Sequence, residues 1–179
     1  MGLKKNIFYS SILTTSLYIF QFITYPYVSR VLGVTNIGIC NFAQSVVLFA
    51  SLLSTFGITT IGVREIAAAR RDKVKLNNTF SEIFQINLLL TLAVIVLYII
   101  AIEIIPQLTP YRKLLYIGIF QIFFNTLTIE WLFKGFEDFK YITIRTVLIR
   151  IAYVIAIFVF IQGKDDYNLY FIITVGLYG

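Results

Sequence analysis

The 179-residue sequence has no histidine, one cysteine (Cys40), one tryptophan (Trp131) and no methionine beyond Met1. The lack of histidine excludes imidazole general-base catalysis, histidine metal sites and histidine pH switches. A single cysteine excludes an internal disulfide and a thiolate metal cluster. Charge is also scarce. Only 13% of residues are Asp, Glu, Lys or Arg, about half the ~25% usual in a soluble domain.

What replaces them is apolar. Hydrophobic residues make up 59% of the chain and aromatic ones 17%, with 17 Phe and 12 Tyr. The mean hydropathy of +0.85 exceeds what a chain this short can bury in one core. An oily solvent must cover the surface, which makes this a polytopic membrane protein. A crossing helix takes about 20 residues, so the length accommodates five or six spans and no soluble domain. Outer-membrane barrels alternate apolar and polar residues along each strand. Stretches such as Leu88 to Ile102 are apolar on every side, so the fold class is all-α, a transmembrane helix bundle.

Charges fall between the oily segments and punctuate them. The run from Asn6 to Ser29 carries no charge and lacks a small-residue cleavage site, so it reads as an uncleaved first span rather than a signal peptide. Met1, as the lone methionine, reads as the initiator, and an authentic start is the expectation. Span 1 covers about Ile7 to Ser29, with Pro26 expected to kink it. The turn Gly33-Val-Thr-Asn-Ile-Gly38 reverses the chain into span 2, about Ile39 to Val63. A basic segment from Arg64 to Lys75 follows. Thr79-Phe-Ser-Glu82 has the form of a capping box and is expected to open span 3, which Pro106 ends. Thr109-Pro110 starts span 4, which runs to about Phe133. Span 5 covers about Tyr141 to Gln162. After the turn Gly163-Lys-Asp-Asp166, only 13 residues remain, about 20 Å of helix against about 30 Å of hydrocarbon. The expectation is a single transmembrane domain over 1–179, with five spans and a truncated sixth.

Orientation follows the Lys/Arg bias of short loops. With the N-terminus inside, Lys4, Lys5, Arg64, Arg70, Arg71, Lys73, Lys75, Lys134, Lys140 and Arg145 lie on the cytoplasmic side, ten in all. Arg30, Arg112, Lys113 and Lys164 lie outside, four in all. The net charge of +6 is thus spread over separate loops facing anionic lipid, with no clustered basic surface for nucleic acid.

Ionisable groups inside a membrane are costly and mark function by default. Arg150 lies nine residues past Tyr141, about 13 Å into span 5 at about 1.5 Å per residue. Either it faces a water-filled cavity and attracts an anionic substrate, or the span starts later, near Thr146, and leaves it among headgroups. Glu130 and Arg145 sit at similar depth on antiparallel neighbours. An interhelical ion pair is the expected arrangement, with substrate contact as the other reading. Glu130 and Lys134 are also an i,i+4 pair. Arg30 and Arg64 close spans 1 and 2, as interfacial anchors or as parts of a cationic ring at a cavity mouth. Glu103 is an end carboxylate or a cation site. Ser11, Thr14, Thr15 and Tyr18 share one face of span 1, suited to helix packing or to a polar lumen. Cys40 reads as a small inert residue, and Asp165-Asp166 as the end of a helix. No catalytic constellation, metal cluster or phosphate loop is present, so no cofactor is expected.

The order of motifs resembles a known family. Tyr25-Pro-Tyr-Val-Ser-Arg30-Val-Leu-Gly33 and its turn come first. Phe56-Gly57, Gly62-Val-Arg64-Glu65-Ile-Ala67 and the Arg71-Asp-Lys block follow. Glu130-Trp131-Leu-Phe-Lys-Gly135-Phe-Glu-Asp-Phe-Lys140-Tyr-Ile-Thr-Ile-Arg145 completes the set. Together they are similar to the N-terminal part of bacterial polysaccharide biosynthesis proteins. These are Wzx-type O-antigen and capsule flippases of the multidrug/oligosaccharidyl-lipid/polysaccharide exporter superfamily. The resemblance implies a first lobe of a two-lobe transporter in the bacterial inner membrane. It implies alternating access that moves an undecaprenyl-diphosphate-linked oligosaccharide to the outer leaflet, with no enzymatic step. Basic cavity residues would meet the diphosphate, Arg150 first, then Arg30, Arg64 and Arg145, with Glu130 as ion-pair or coupling residue. The implied partners are that anionic lipid-linked oligosaccharide, the bilayer and other polysaccharide-assembly membrane proteins. Competing readings are a cation-coupled drug exporter, a membrane enzyme of glycan assembly and a non-functional fragment.

The charge bias carries its own test. Alkaline phosphatase, active only outside the cytoplasm, is expected to be active when fused after Lys164 and inactive when fused after Lys75. The reverse pattern would overturn the orientation.

Overall fold

The computed structural model describes residues 3–178, with side chains described for residues 6–177. Met1 and the chain end at Gly179 lie outside the described residues, as do the side chains of Lys4 and Lys5. Every regular element among the described residues is helical: α1 (Leu3–Thr55), α2 (Ile58–Ala69), α3 (Lys73–Ile104), α4 (Arg112–Leu127), α5 (Glu130–Gly135), α6 (Phe139–Phe160) and α7 (Tyr167–Tyr178). Four stretches are long and apolar enough to cross a membrane: Asn6–Ala69, Lys73–Ile104, Pro106–Gly135 and Phe139–Phe160. Their outward faces are oily, with Phe22, Leu52, Leu89, Leu97, Ile104 and Phe120 exposed, as a lipid solvent requires.

The first stretch is not straight. Gly33 adopts φ 77°, ψ 162° within α1, a conformation open to glycine and strained for other residues. Phe20 and Leu48, about 42 Å apart along an unbroken helix, instead line one cavity together with Thr24 and Gln44. The halves of α1 therefore lie side by side, which is the reversal expected at the Gly33 turn. Pro26 stays within helical geometry, and Gly33 is the non-helical residue of α1. The turn is pinned from both sides. The Tyr27 hydroxyl donates to the Ile161 carbonyl at 2.8 Å, and the Asn36 amide donates to the Lys164 carbonyl at 2.7 Å.

Helix starts differ from the expectation where a nearer cap wins. Thr79 lies inside α3 instead of opening it. The Asp72 carboxylate caps the helix earlier, accepting from the Val74 and Lys75 amides at 3.0 and 3.2 Å. Lys73 and Lys75, the end of the basic segment, thereby join the helix, while Arg64 lies in α2. Thr109-Pro110 falls in a tight 3-10 turn, Pro106–Tyr111, and α4 begins only at Arg112. Asp138 caps α6 through the Tyr141 amide at 3.3 Å. Asp166 closes the loop before α7, accepting from the Gln162 and Gly163 amides at 2.9 and 2.8 Å. Those two bonds hold its carboxyl below the usual carboxylate range. Asp165 and Asp166 thus precede a helix rather than end one.

Spans 2 and 4 do not run unbroken to their expected ends. α1 stops at Phe56 (φ 20°) and Gly57 (φ 80°), and α4 stops before Ile129 (φ 40°). The short helices beyond these breaks, α2 and α5, lock together. A Cβ on Gly62 would fall 2.7 Å from the Trp131 ring, and one on Gly135 would fall 2.6 Å from Ile66. An Arg70–Glu137 ion pair at 3.2 Å closes the same junction.

The core divides in two. One cluster joins Ala43, Val47, Tyr98, Leu115, Ile122 and Phe171. The other joins Val28, Leu32 and Ile37 to Tyr153, Ile157 and Ile161. At the first, Gly118 admits the Val47 side chain so closely that an added Cβ would lie 2.2 Å from it. Val47 is β-branched and stiff in a helix, so it cannot yield. Gly118→Ala is expected to destabilise the fold by about 1–3 kcal/mol, and Val47→Ala in the same chain to recover part of that loss. Thermal unfolding of the single and double variants in detergent checks it.

Candidate substrate-binding site

α6 places Arg150 at the twelfth of its 22 residues, midway along an apolar stretch that begins well before Thr146. The side chain is half-buried and reaches back to α1. One guanidinium nitrogen donates to the Leu13 carbonyl at 2.7 Å and to the Ser16 hydroxyl. Arg145, also half-buried, lies five residues earlier. It donates to the Thr128 carbonyl at 3.4 Å and sits 5.9 Å from the centre of the Tyr141 ring. That carbonyl belongs to the break between α4 and α5, where the negative end of a helix favours a cation. Both arginines line one open cleft of about 730 Å³, walled by Leu17, Phe124, Phe133, Ile149 and Gly176.

The remaining basic positions stand apart from this cleft. Arg30 is exposed, three residues before the Gly33 turn. The Arg64 side chain is 76% exposed and pairs at 2.9 Å with its own neighbour Glu65. Neither lines the cleft. The expected Glu130–Arg145 ion pair does not form. The left-handed turn at Ile129 starts a new helix at Glu130 and aims its carboxylate along that helix. Glu130 pairs with Lys134 at 3.4 Å, as the i,i+4 spacing predicts. Glu103 accepts from both Arg112 and Tyr116 and ties α3 to α4. Among the described residues no group of three acidic or thiol side chains could hold a metal.

The Leu13 and Thr128 carbonyls that hold the two arginines were not visible in the sequence, because any residue type supplies one; only Ser16 is a side-chain partner. The one available signal was the polar register of span 1, which carries Ser16 one turn from Leu13. That span keeps its polar face open: Ser11, Thr14, Thr15 and Tyr18 are all exposed. A polar face in an apolar helix suits a lumen or a further protein surface better than lipid.

Comparison with known proteins decides the family. The family model for "Polysaccharide biosynthesis protein" matches residues 3–178, nearly the whole chain. The chain belongs to the polysaccharide biosynthesis protein family. Two curated proteins with the name "Putative O-antigen transporter" are similar to it. The one from Escherichia coli (strain K12) is 25% identical over 166 residues, covering 93% of this chain and 40% of the relative. The one from Shigella dysenteriae is 26% identical over 164 residues, covering 92% of this chain and 41% of the relative. The chain thus spans about two-fifths of the length of these relatives. No solved structure gives a significant match. These relatives and the four apolar stretches identify a multi-pass membrane protein of a transporter-containing family. Gly62, Trp131 and Gly135, which lie in the stretches that carried the resemblance, lock α2 to α5.

Water reaches the cleft if it serves a polar substrate. Thr146→Cys, on the cleft wall, is expected to react with a water-soluble maleimide, while Ala43→Cys in the closed core stays unlabelled. Equal labelling of the two would remove the cleft as a solvated site.

Proposed function

We propose that this chain forms the first lobe of a flippase. It carries an anionic, diphosphate-linked oligosaccharide lipid across the bacterial inner membrane by alternating access. The observation that carries the reading is the pair Arg145 and Arg150 on one cleft inside an apolar bundle. An arginine uses a rigid fork of five donors, and Arg150 commits only one nitrogen to α1. The rest of its fork remains for phosphate oxygens, the oxyanions for which guanidinium is suited. On this reading Arg30 and Arg64 act at the membrane faces rather than in the cleft, guiding anionic headgroups. Glu130, held by Lys134, positions α5.

The same proposal includes the membrane arrangement. Asn6–Ala69 supplies two crossings joined at Gly33, the other three apolar stretches supply one each, and α7 begins a sixth. The N-terminus faces the cytoplasm, and residues 1–179 act as one transmembrane domain. Other membrane proteins of polysaccharide assembly are its proposed partners. A cation-coupled drug exporter is less well supported. Its cavity would call for an unpaired acid, whereas Glu103 and Glu130 both hold basic partners.

In the full-length protein, Arg150→Leu is expected to lower surface polysaccharide at least about tenfold, the loss of one charge-assisted bond. Membrane abundance should stay at the wild-type level, and Arg150→Lys should retain part of the activity. Immunoblotting of glycan and protein from a complemented flippase deletion reads both. Normal glycan in the leucine variant would sink the role of Arg150.

A further inference from the structure

A second cavity, about 510 Å³, opens directly beyond the arginine cleft. The two share four walls. Arg150 and Tyr153 are three residues apart on α6, and Phe124 and Gln121 are three apart on α4. Leu17 and Phe20 are three apart on α1, and Gly176 and Thr174 are two apart on α7. About one helical turn therefore separates the chambers on α1, α4 and α6, and about half a turn on α7.

Their chemistry differs completely. The second chamber has no charged lining residue. Its polar wall is built from the amides Asn41, Gln44 and Gln121 and the tyrosines Tyr25, Tyr153 and Tyr170. Gln121 is 4% exposed, and its carbonyl accepts from the Gln44 amide at 3.1 Å. The Gln44 carbonyl oxygen is itself buried and has no hydrogen-bond partner. An unpaired buried acceptor is costly, and a ligand or water donor would offset that cost.

We propose that this chamber receives the saccharide portion of the lipid-linked substrate, next to the diphosphate held by the arginines. The inference rests on the flippase reading above and names the sugar subsite within it. A sugar hydroxyl both donates and accepts, and so does each primary amide, so Gln44 and Gln121 match hydroxyls in either sense. The tyrosine rings offer flat apolar surface to the C–H faces of a pyranose, with a hydroxyl at the rim. A diphosphate would lose its hydration against uncharged walls without compensation, so the chamber selects against the charged end and orients the substrate. Amides placed midway along apolar helices are the sequence signal for it.

Binding to purified full-length protein in detergent tests this with two probes. One is farnesyl diphosphate, and the other is farnesyl diphosphate bearing one N-acetylglucosamine. Wild type is expected to bind the sugar-bearing probe about five- to tenfold more tightly, the effect of one or two net hydrogen bonds. Gln121→Leu should erase that preference and leave farnesyl diphosphate binding unchanged. Gln44→Ala, on the half-buried side of the pair, should do the same and becomes the deciding variant if Gln121→Leu lowers the melting temperature. Equal affinity of wild type for the two probes would overturn the subsite. So would a preference that persists in a stable variant, or an equal loss on both probes. Arg150→Leu separates the two readings, because it should weaken both probes alike. If it weakens neither while the glutamine variants erase the preference, the arginine role falls and the sugar subsite stands.

Discussion

A carbonyl that cannot reach water must find a donor inside the protein, and that demand organises this bundle. Hydrocarbon offers no hydrogen bonds, so each interruption of a helix exposes backbone that neighbouring residues must satisfy. Apolar stretches are interrupted at Gly33, at Phe56–Gly57 and at Ile129. Around the first, Tyr27 and Asn36 donate to carbonyls of the loop between α6 and α7. At the last, Arg145 donates to Thr128. Arg145 is thus held by a carbonyl at a helix break. Arg150 instead rests on a regular part of α1, on the Leu13 carbonyl and the Ser16 hydroxyl, which sets the depth of its charge without closing a break.

The same logic explains the close contacts between α2 and α5. Gly62, Ile66, Trp131 and Gly135 mesh where two broken helices cross, and the close approach admits no added carbon. Between apolar helices in lipid there is little hydrophobic driving force, so tight van der Waals contact supplies the association. Arg70 and Glu137 add an ion pair at the rim of that contact. These contacts keep α2 against α5, and α5 in turn fixes where α6 begins. From there α6 carries Arg145 and Arg150 to the cleft. The meshing residues thus mark architecture, and under the proposed function the substrate contacts sit on residues they position.

Much of the architecture was legible because the bilayer imposes length and composition. Charges punctuated the apolar stretches, Pro106 ended α3 after Ile104, and the reversal at Gly33 followed from its turn residues. The local starts were less legible. Asp72 displaced the Thr79 capping box because a carboxylate seven residues earlier already satisfied two amides. The break at Ile129 left no trace in composition, since a β-branched residue is among the least suited to a left-handed conformation. Tertiary packing holds it there, and that break is what turned Glu130 toward Lys134 and away from Arg145. Arg150 and Arg145 were found as rare charges in apolar surroundings. Their shared cleft was not, because it depends on α1, α4 and α7 converging on α6.

The placement of charge along α6 also bears on how one bundle can treat the two ends of an amphipathic substrate differently. Arg145 and Arg150 contribute positive potential on one side of Tyr153, and on the other side the lining is uncharged. In a low-dielectric interior a fixed charge acts strongly over a few ångströms, so this step in potential is steep across about one helical turn. Moving a phosphate past it would cost the contacts with arginine and gain none. A neutral hydroxylated group meets no such step, since its hydrogen bonds to amides replace those to water. Under the proposed function, orientation of the substrate then follows from the order of side chains along a single helix. The tie from Arg150 to Leu13 and Ser16 fixes that order against α1, which keeps both chambers in register with the helix they share.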